Sequence, residues 1–197
     1  MQELSVELLL QAYSQGIFPM ADETGKIDWY CPNPRAIIPL ENYKPSKSLR
    51  NIINRGIFEL KLNTAFEEVM RACSSPRFEG DGCWISEEMI ATYTALNRLG
   101  YAHSVEAYFE GKLAGGLYGV HIGGVFYGES MFTHESNASK VAFHALIDIL
   151  KRENFHLLDT QFINENVARY GAIKIPRALF LQKLAVAVQQ ECQFRLG

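Results

Sequence analysis

A chain of 197 residues, 48% hydrophobic and 21% charged, has the make-up of a globular protein with one large domain, or one domain plus a small appendage. No apolar run approaches the roughly 20 residues that span a bilayer. The start MQELSVELLLQAYSQG is acidic and lacks a basic n-region, so neither a membrane span nor a secretory leader is expected, and the cytoplasm is the expected compartment. A net charge of −3 does not point to nucleic acid, although a local basic patch would suffice for that. Cys31, Cys73, Cys83 and Cys192 show no CxxC spacing, which argues against a zinc site and a disulfide framework.

In chain order, Ser5 to Gln15 reads as an amphipathic helix, with Ser5 as N-cap and Gly16 as stop. A stretch rich in turn residues and aromatics follows. Pro32-Asn33-Pro34 is the strongest breaker and places a boundary between a small N-terminal piece, 1–33, and a main domain, 34–197. Lys44, Lys47, Arg50 and Arg55 gather with few acids nearby; by itself such a cluster reads as an ordinary solvated face. Leu60 to Leu62 reads as a strand. Thr64-Ala-Phe-Glu67 has the spacing of a capping box and opens a helix carrying Phe66, Val69, Met70 and Cys73 on one side. Ser86 caps a second helix that ends at Gly100. His103 to Phe132 is strand-rich, with turns at Glu110-Gly111 and Gly123-Gly124. Asn137 is the expected cap of a long helix to about Arg152. The strand LLDTQF, a short helix ending at Gly171 and a last helix near Arg177 to Gln190 complete the chain.

Helices, an antiparallel meander, then helix, strand and helix make an α+β layout with a mixed sheet. The acyl-CoA N-acetyltransferase fold has this order. Its phosphate-binding signature [QR]-x-x-G-x-[GA] is missing, however, and there is no P-loop or G-x-G-x-x-G after a strand, so no CoA or nucleotide cofactor is expected. The glycines of GGLYGVHIGG fall in strands and a hairpin turn, where they allow close backbone packing or ligand approach.

On the strand Leu157 to Gln161, alternation puts Asp159 and Gln161 on one face, roughly 6.5 Å apart. An acid and an amide on an otherwise apolar strand carry a desolvation penalty unless partnered. They are either a satisfied polar pair at a sheet edge or a functional pair.

GESMFTHESNASK, GGLYGV, AHSVE, GCWIS, WYCPNPRAI, AYSQGIFPM, LLDTQ and the YGA-I-IPR stretch run in order from about Leu4 to Phe180. In these stretches the chain resembles the leucyl/phenylalanyl-tRNA–protein transferase family. The resemblance implies a small N-terminal domain joined to an N-acetyltransferase-like (GNAT-like) domain, and no metal or CoA. It implies transfer of leucine, phenylalanine or methionine from tRNA to the N-terminal Arg or Lys of a protein, creating an N-degron. Aminoacyl-tRNA and such proteins would be the partners, with no membrane, and the chain would act as a monomer.

The same resemblance assigns roles. Gln161 would receive the proton side of the attacking amine while Asp159 accepts from the Gln161 NH₂, a chain that polarises the amide oxygen. Leu117, Phe143, Leu146 and Leu150 would line the pocket for the transferred side chain, although their spacing fits plain core as well. Trp84 would stack on the terminal adenosine of tRNA, or else be a core aromatic. Lys47, Arg50 and Arg55 would meet tRNA phosphates. Glu129 would mark the acceptor site, or else be a solvated or paired charge. Two departures stand out: Met20 follows the IFP triplet where Trp is usual, and Trp29-Tyr30-Cys31-Pro32 replaces WWSP. The rival readings are a CoA-dependent acetyltransferase and a catalytically silent tRNA-binding module.

Overall fold

The computed structural model describes residues 4–75 and 84–195. Gly82 and Cys83 of the GCWIS stretch lie outside the described residues. Helix α1 (Val6–Ser14) begins as the sequence indicates, with Ser5 in extended backbone and its hydroxyl accepting the Leu8 N–H at 3.2 Å. Strands β1 (Phe18–Ala21) and β2 (Ile27–Tyr30) then pair antiparallel as a separate two-stranded sheet.

The remaining strands are β3 (Arg35–Ile37), β4 (Glu59–Leu62), β5 (Ala102–Phe109), β6 (Lys112–Ile122), β7 (Val125–Thr133), β8 (Leu157–Gln161) and β9 (Ile173–Ile175). They form one seven-stranded sheet in the order β4-β5-β6-β7-β8-β3-β9. From β4 to β7 the sheet is an antiparallel meander, while β7 and β8 run parallel. The crossover between them is α5 (Ala138–Arg152), because parallel neighbours need a long connection. Meander, crossover helix and parallel strand give the N-acetyltransferase-like mixed sheet expected of the sequence. Strand β8 is interior, between β7 and β3, so its acid and amide do not sit at a sheet edge.

The helices cover both faces, and strand alternation sorts the core accordingly. Leu117, Phe126 and Leu158 face α5 and pack with Phe143, Leu146 and Leu150. Tyr118, Tyr127 and Leu157 face the other way. There they meet α1, α3 (Phe66–Ser74), α4 (Glu87–Arg98) and α7 (Arg177–Ala187). Gly115 sets how closely α5 lies on the sheet: a Cβ there would stand 2.7 Å from the Ala138 Cβ. Helix α2 (Lys47–Asn54) buries Leu49, and α6 (Glu165–Arg169) follows β8.

Two helix starts differ from the sequence pattern. No capping box forms at Thr64: Ala65 is the N-cap and has no side-chain bond. The Thr64 hydroxyl and the Thr64 and Ala65 N–H groups instead donate to buried Glu106 of β5, at 3.1, 3.4 and 3.4 Å. A carboxylate from across the sheet thus replaces the local cap at the positive end of α3. Asn137 does precede α5, but in left-handed backbone (φ +71°) and without a side-chain cap bond. Ser86 caps α4 as expected, accepting the Met89 N–H at 3.2 Å. Among the described residues, no helix is long and apolar enough to cross a membrane.

Candidate active site

Pairing between β7 and β8 stops at Tyr127–Asp159, although β7 continues to Thr133 and β8 to Gln161. Where the strands part, a cavity of about 220 Å³ opens between them. Gly128, Glu129, Ser130 and Met131 of β7 and Thr160 and Gln161 of β8 line it. Leu117, Phe143 and Leu146 form an apolar wall on the α5 side, and Met20, Trp84 and Phe162 contribute from the other. Three expected pocket residues, the expected acceptor-site acid, the expected adenosine-stacking tryptophan and Gln161 therefore share one cavity.

Leu150 does not belong to it. It is fully buried in the core beneath α5 and is absent from the cavity lining, because one more helical turn carries it past the gap between the strands. Lys47, Arg50 and Arg55 are exposed on and just after α2 and line neither this cavity nor its neighbour. That neighbour is a wider cleft of about 770 Å³, which shares Met131, Asn166 and Tyr170 with the first. Its cations are Lys44, Lys140 and Arg169.

Asp159 is also outside the cavity lining, and its partner was not foreseen. It is fully buried and bound in fork geometry by the equally buried Arg35: Nε donates to Oδ1 at 2.8 Å and Nη2 to Oδ2 at 2.5 Å. Arg35 also donates to the Gly16 carbonyl at 2.8 Å and lies over the rings of Phe18 (4.8 Å) and Phe180 (4.5 Å). Burial disfavours its charge, but the bonds and charge of Asp159 outweigh that and raise its pKa above the ordinary value.

The expected link from the Gln161 NH₂ to Asp159 is replaced by two others. The Gln161 backbone N–H donates to Asp159 Oδ1 at 2.9 Å, and the Gln161 side-chain Nε2 donates to Glu129 Oε1 at 2.9 Å. Gln161 adopts φ +64°, so strict strand alternation ends there and its amide turns to β7. The acid joined to the amide is Glu129.

Glu129 is held from below by tyrosines. Tyr13 of α1 donates to Oε1 at 2.7 Å, and the Tyr13 and Tyr93 hydroxyls are 2.5 Å apart. Tyr127 fixes α1 in turn, its hydroxyl donating to the Tyr13 carbonyl at 2.8 Å. Burial, then the Glu129 charge, hold the Tyr13 and Tyr93 hydroxyls protonated, well above the usual phenol range. Oε1 thus has two donors, whereas Oε2 is sealed from solvent and has no hydrogen-bond partner among the described residues. Burial pushes the Glu129 carboxyl up to about 7, against the bonds from Tyr13 and Gln161 that pull it down.

Sequence reasoning passed over Arg35, Tyr13 and Tyr93 as site residues. Arg35 had a signal: one cation in the apolar run Arg35-Ala-Ile-Ile demands a buried counter-charge. The tyrosines sit on amphipathic helices and look like ordinary core.

The leucyl/phenylalanyl-tRNA protein transferase family model matches residues 37–185, and the model of that family's N-terminal domain matches residues 2–33. The leucyl/phenylalanyl-tRNA–protein transferase of Chlorobaculum tepidum is 47% identical over 97% of this chain and 99% of its own length. The protein of that name from Herpetosiphon aurantiacus is 50% identical over 98% of this chain and 99% of its own. Among solved structures, L-PGS from Bacillus licheniformis aligns with a TM-score of 0.43 at 14% identity, over 83% of this chain and 55% of that one. The chain belongs to the leucyl/phenylalanyl-tRNA–protein transferase family of aminoacyltransferases.

Proposed function

We propose that this protein moves leucine or phenylalanine, and also methionine, from aminoacyl-tRNA to the N-terminal Arg or Lys of proteins in the cytoplasm, giving them an N-degron. The observation that carries this reading is the single cavity in which an apolar wall of Leu117, Phe143 and Leu146 adjoins the polar pair Glu129 and Gln161. The transferred side chain lies on the apolar wall, which puts its ester carbonyl beside the polar pair. Met20, in place of a larger aromatic, leaves room for an unbranched methionine as well as for leucine and phenylalanine.

An aminoacyl ester is already activated, and an α-amino group titrates near pH 7.7–8.0, so aminolysis needs chiefly positioning. The Gln161 amide donates to Glu129, and its carbonyl oxygen accepts an N–H from the incoming amine. Asp159 is a positioning residue: tied to Arg35, it holds the Gln161 backbone. Glu129 supplies negative charge at the acceptor site. Trp84 at the cavity wall stacks on the terminal adenosine, and Lys47, Arg50 and Arg55 meet tRNA phosphates farther out. Residues 1–33 act as a small N-terminal domain that lines the cavity through Met20 and holds Glu129 through Tyr13, with 34–197 as the catalytic domain and the monomer as the working unit.

The test is transfer of radiolabelled leucine from tRNA to a protein with N-terminal Arg, beside one with N-terminal Ala. Transfer to the first alone is the expected result. Equal labelling of both removes the acceptor assignment, and labelling of neither removes the reaction.

A further inference from the structure

Tyr170 stands where the two hollows of the molecule meet. It closes α6 as its C-cap and lines both the cavity of about 220 Å³ and the cleft of about 770 Å³. Its ring lies against that of Phe143, with centroids 4.1 Å apart and planes 34° from parallel. Phe143 belongs to the cavity lining and not to that of the cleft. Behind Phe143 stands the buried ring of Tyr43, edge-on at 5.5 Å between centroids. The Tyr170 hydroxyl reaches across to β7 and donates to Met131 Sδ at 3.9 Å. Met131 is the cross-strand neighbour of Leu117, so this contact ties α6 to the apolar wall of the cavity.

The main chain keeps the ring in this place. Asn164 caps α6 by accepting the Asn166 and Val167 N–H groups at 2.9 and 3.0 Å. At the other end the Ala172 N–H returns to the Val167 carbonyl at 3.2 Å, across Gly171, whose φ of +88° stops the helix directly after Tyr170. Tyr170 is half-buried and packs on the core beneath α5. Fixed at its base by the helix stop and along its face by Phe143, the ring makes a wall between cavity and cleft.

We propose that Tyr170 is a specificity-determining residue of the transfer reaction: its ring is the end wall of the pocket for the transferred side chain and limits how large that side chain can be. The inference rests on the reaction proposed above and adds what sets the size of its donor. A leucine or phenylalanine side chain lying along Leu117, Phe143 and Leu146 runs toward the Phe143–Tyr170 pair. A two-ringed side chain such as tryptophan meets the Tyr170 ring before its ester carbonyl draws level with Gln161. Apolar surface alone does not reject a larger apolar group; a wall in its path does. Beyond the wall, space is no longer limiting, because the cleft is the larger hollow. Removing the ring joins the two hollows between Met131 and Asn166, which line both.

The test is transfer by the full chain to a peptide with N-terminal Arg. The donor is one tRNA body charged chemically with leucine, phenylalanine or tryptophan, so that only the side chain changes. The quantity read is kcat/KM for tryptophan divided by kcat/KM for leucine. Tyr170→Ala is expected to raise this ratio at least about tenfold, with leucine transfer retained. Tyr170→Phe is expected to leave it unchanged, because the ring and not the hydroxyl is the wall. An unchanged ratio in Tyr170→Ala, or an equal fall for all three donors, makes Tyr170 a structural support and overturns the proposal. A ratio raised as much by Tyr170→Phe overturns it too, as does wild type that transfers tryptophan as readily as leucine. If circular dichroism shows Tyr170→Ala unfolded, Tyr170→Leu, which keeps apolar bulk without a ring, is read in the same way. Wild type that transfers none of the three overturns the underlying reaction, and this inference with it; wild type that transfers leucine leaves that reaction standing whatever the ratio does.

Discussion

Asp159, fully buried, and Glu129, partly buried at the cavity, are carboxylates on neighbouring strands, both joined to Gln161, yet their surroundings give them opposite characters. Asp159 faces a guanidinium that is itself fully buried and clamped by two aromatic rings and a carbonyl. Its charge has a fixed mate, so it serves as a rivet between β8, β3 and the turn after α1. Glu129 meets only neutral donors, and burial lifts its carboxyl to about 7. It can gain or lose a proton under ordinary conditions. Burial alone therefore does not say what an acid is for: the charge of its neighbour decides whether it locks a fold or works in a site.

The comparison breaks most directly at the rivet. Asp159→Asn leaves the Arg35 charge in the interior without a counter-charge and should destabilise the protein by about 3–5 kcal/mol in urea unfolding. Replacing both partners, as Arg35→Met with Asp159→Leu, should recover most of that stability. A double variant as unstable as the sum of its singles would show that the pair does not act as a unit.

Glu129→Gln should act on stability in the opposite sense. The ordinary value for this carboxyl is 4.5 and the folded value about 7, so the folded protein holds the proton more tightly. The stability from this group is complete below about pH 4.5 and is lost as pH rises through about 7. At pH 8 wild type bears a burden on the order of 3 kcal/mol that Glu129→Gln lacks. Unfolding at several pH values should show the variant more stable at pH 8, with the gap closing toward pH 5. A constant gap would contradict this.

Gln161 touches both acids, so its truncation separates them. Gln161→Ala keeps the backbone bond to Asp159 and loses the side-chain bond to Glu129. Turnover should fall about 10²-fold, while unfolding stability changes by about 1 kcal/mol and affinity for aminoacyl-tRNA is retained. Weaker still is Tyr93→Phe, one bond farther from the carboxylate. It should cost about 1 kcal/mol of stability in urea unfolding, less than Tyr13→Phe, which removes the bond to the carboxylate itself. A larger loss of stability from Tyr93→Phe than from Tyr13→Phe would contradict that order.

Much of this fold was readable because its signals are local. Ser5 and Ser86 cap their helices by bonds to residues three positions on, and the turns of the β5–β7 meander announce themselves as Glu-Gly and Gly-Gly. The glycine stretch behaves as its strand position indicated, with Gly115 against Ala138. The failures are long-range. Arg35 lies 124 residues from Asp159 and Tyr13 lies 116 from Glu129, and no periodicity carries such pairings. Alternation puts Asp159 and Gln161 on one face, but it fails where Gln161 adopts positive φ, and the side-chain link that the family resemblance implies does not form. Thr64 shows the same contest, its local capping pattern overridden by Glu106 from across the sheet.

The bonds from the first thirty-odd residues into the main sheet also bear on inheritance. Tyr13 reaches Glu129, the Gly16 carbonyl receives Arg35, and Phe18 stacks under the same guanidinium. The two segments that match separate family models thus meet in a shared set of polar contacts and cannot evolve as interchangeable modules. A chimera that takes residues 2–33 from a distant relative would have to bring matching partners for Tyr93, Arg35 and Glu129, so these positions should change together or not at all.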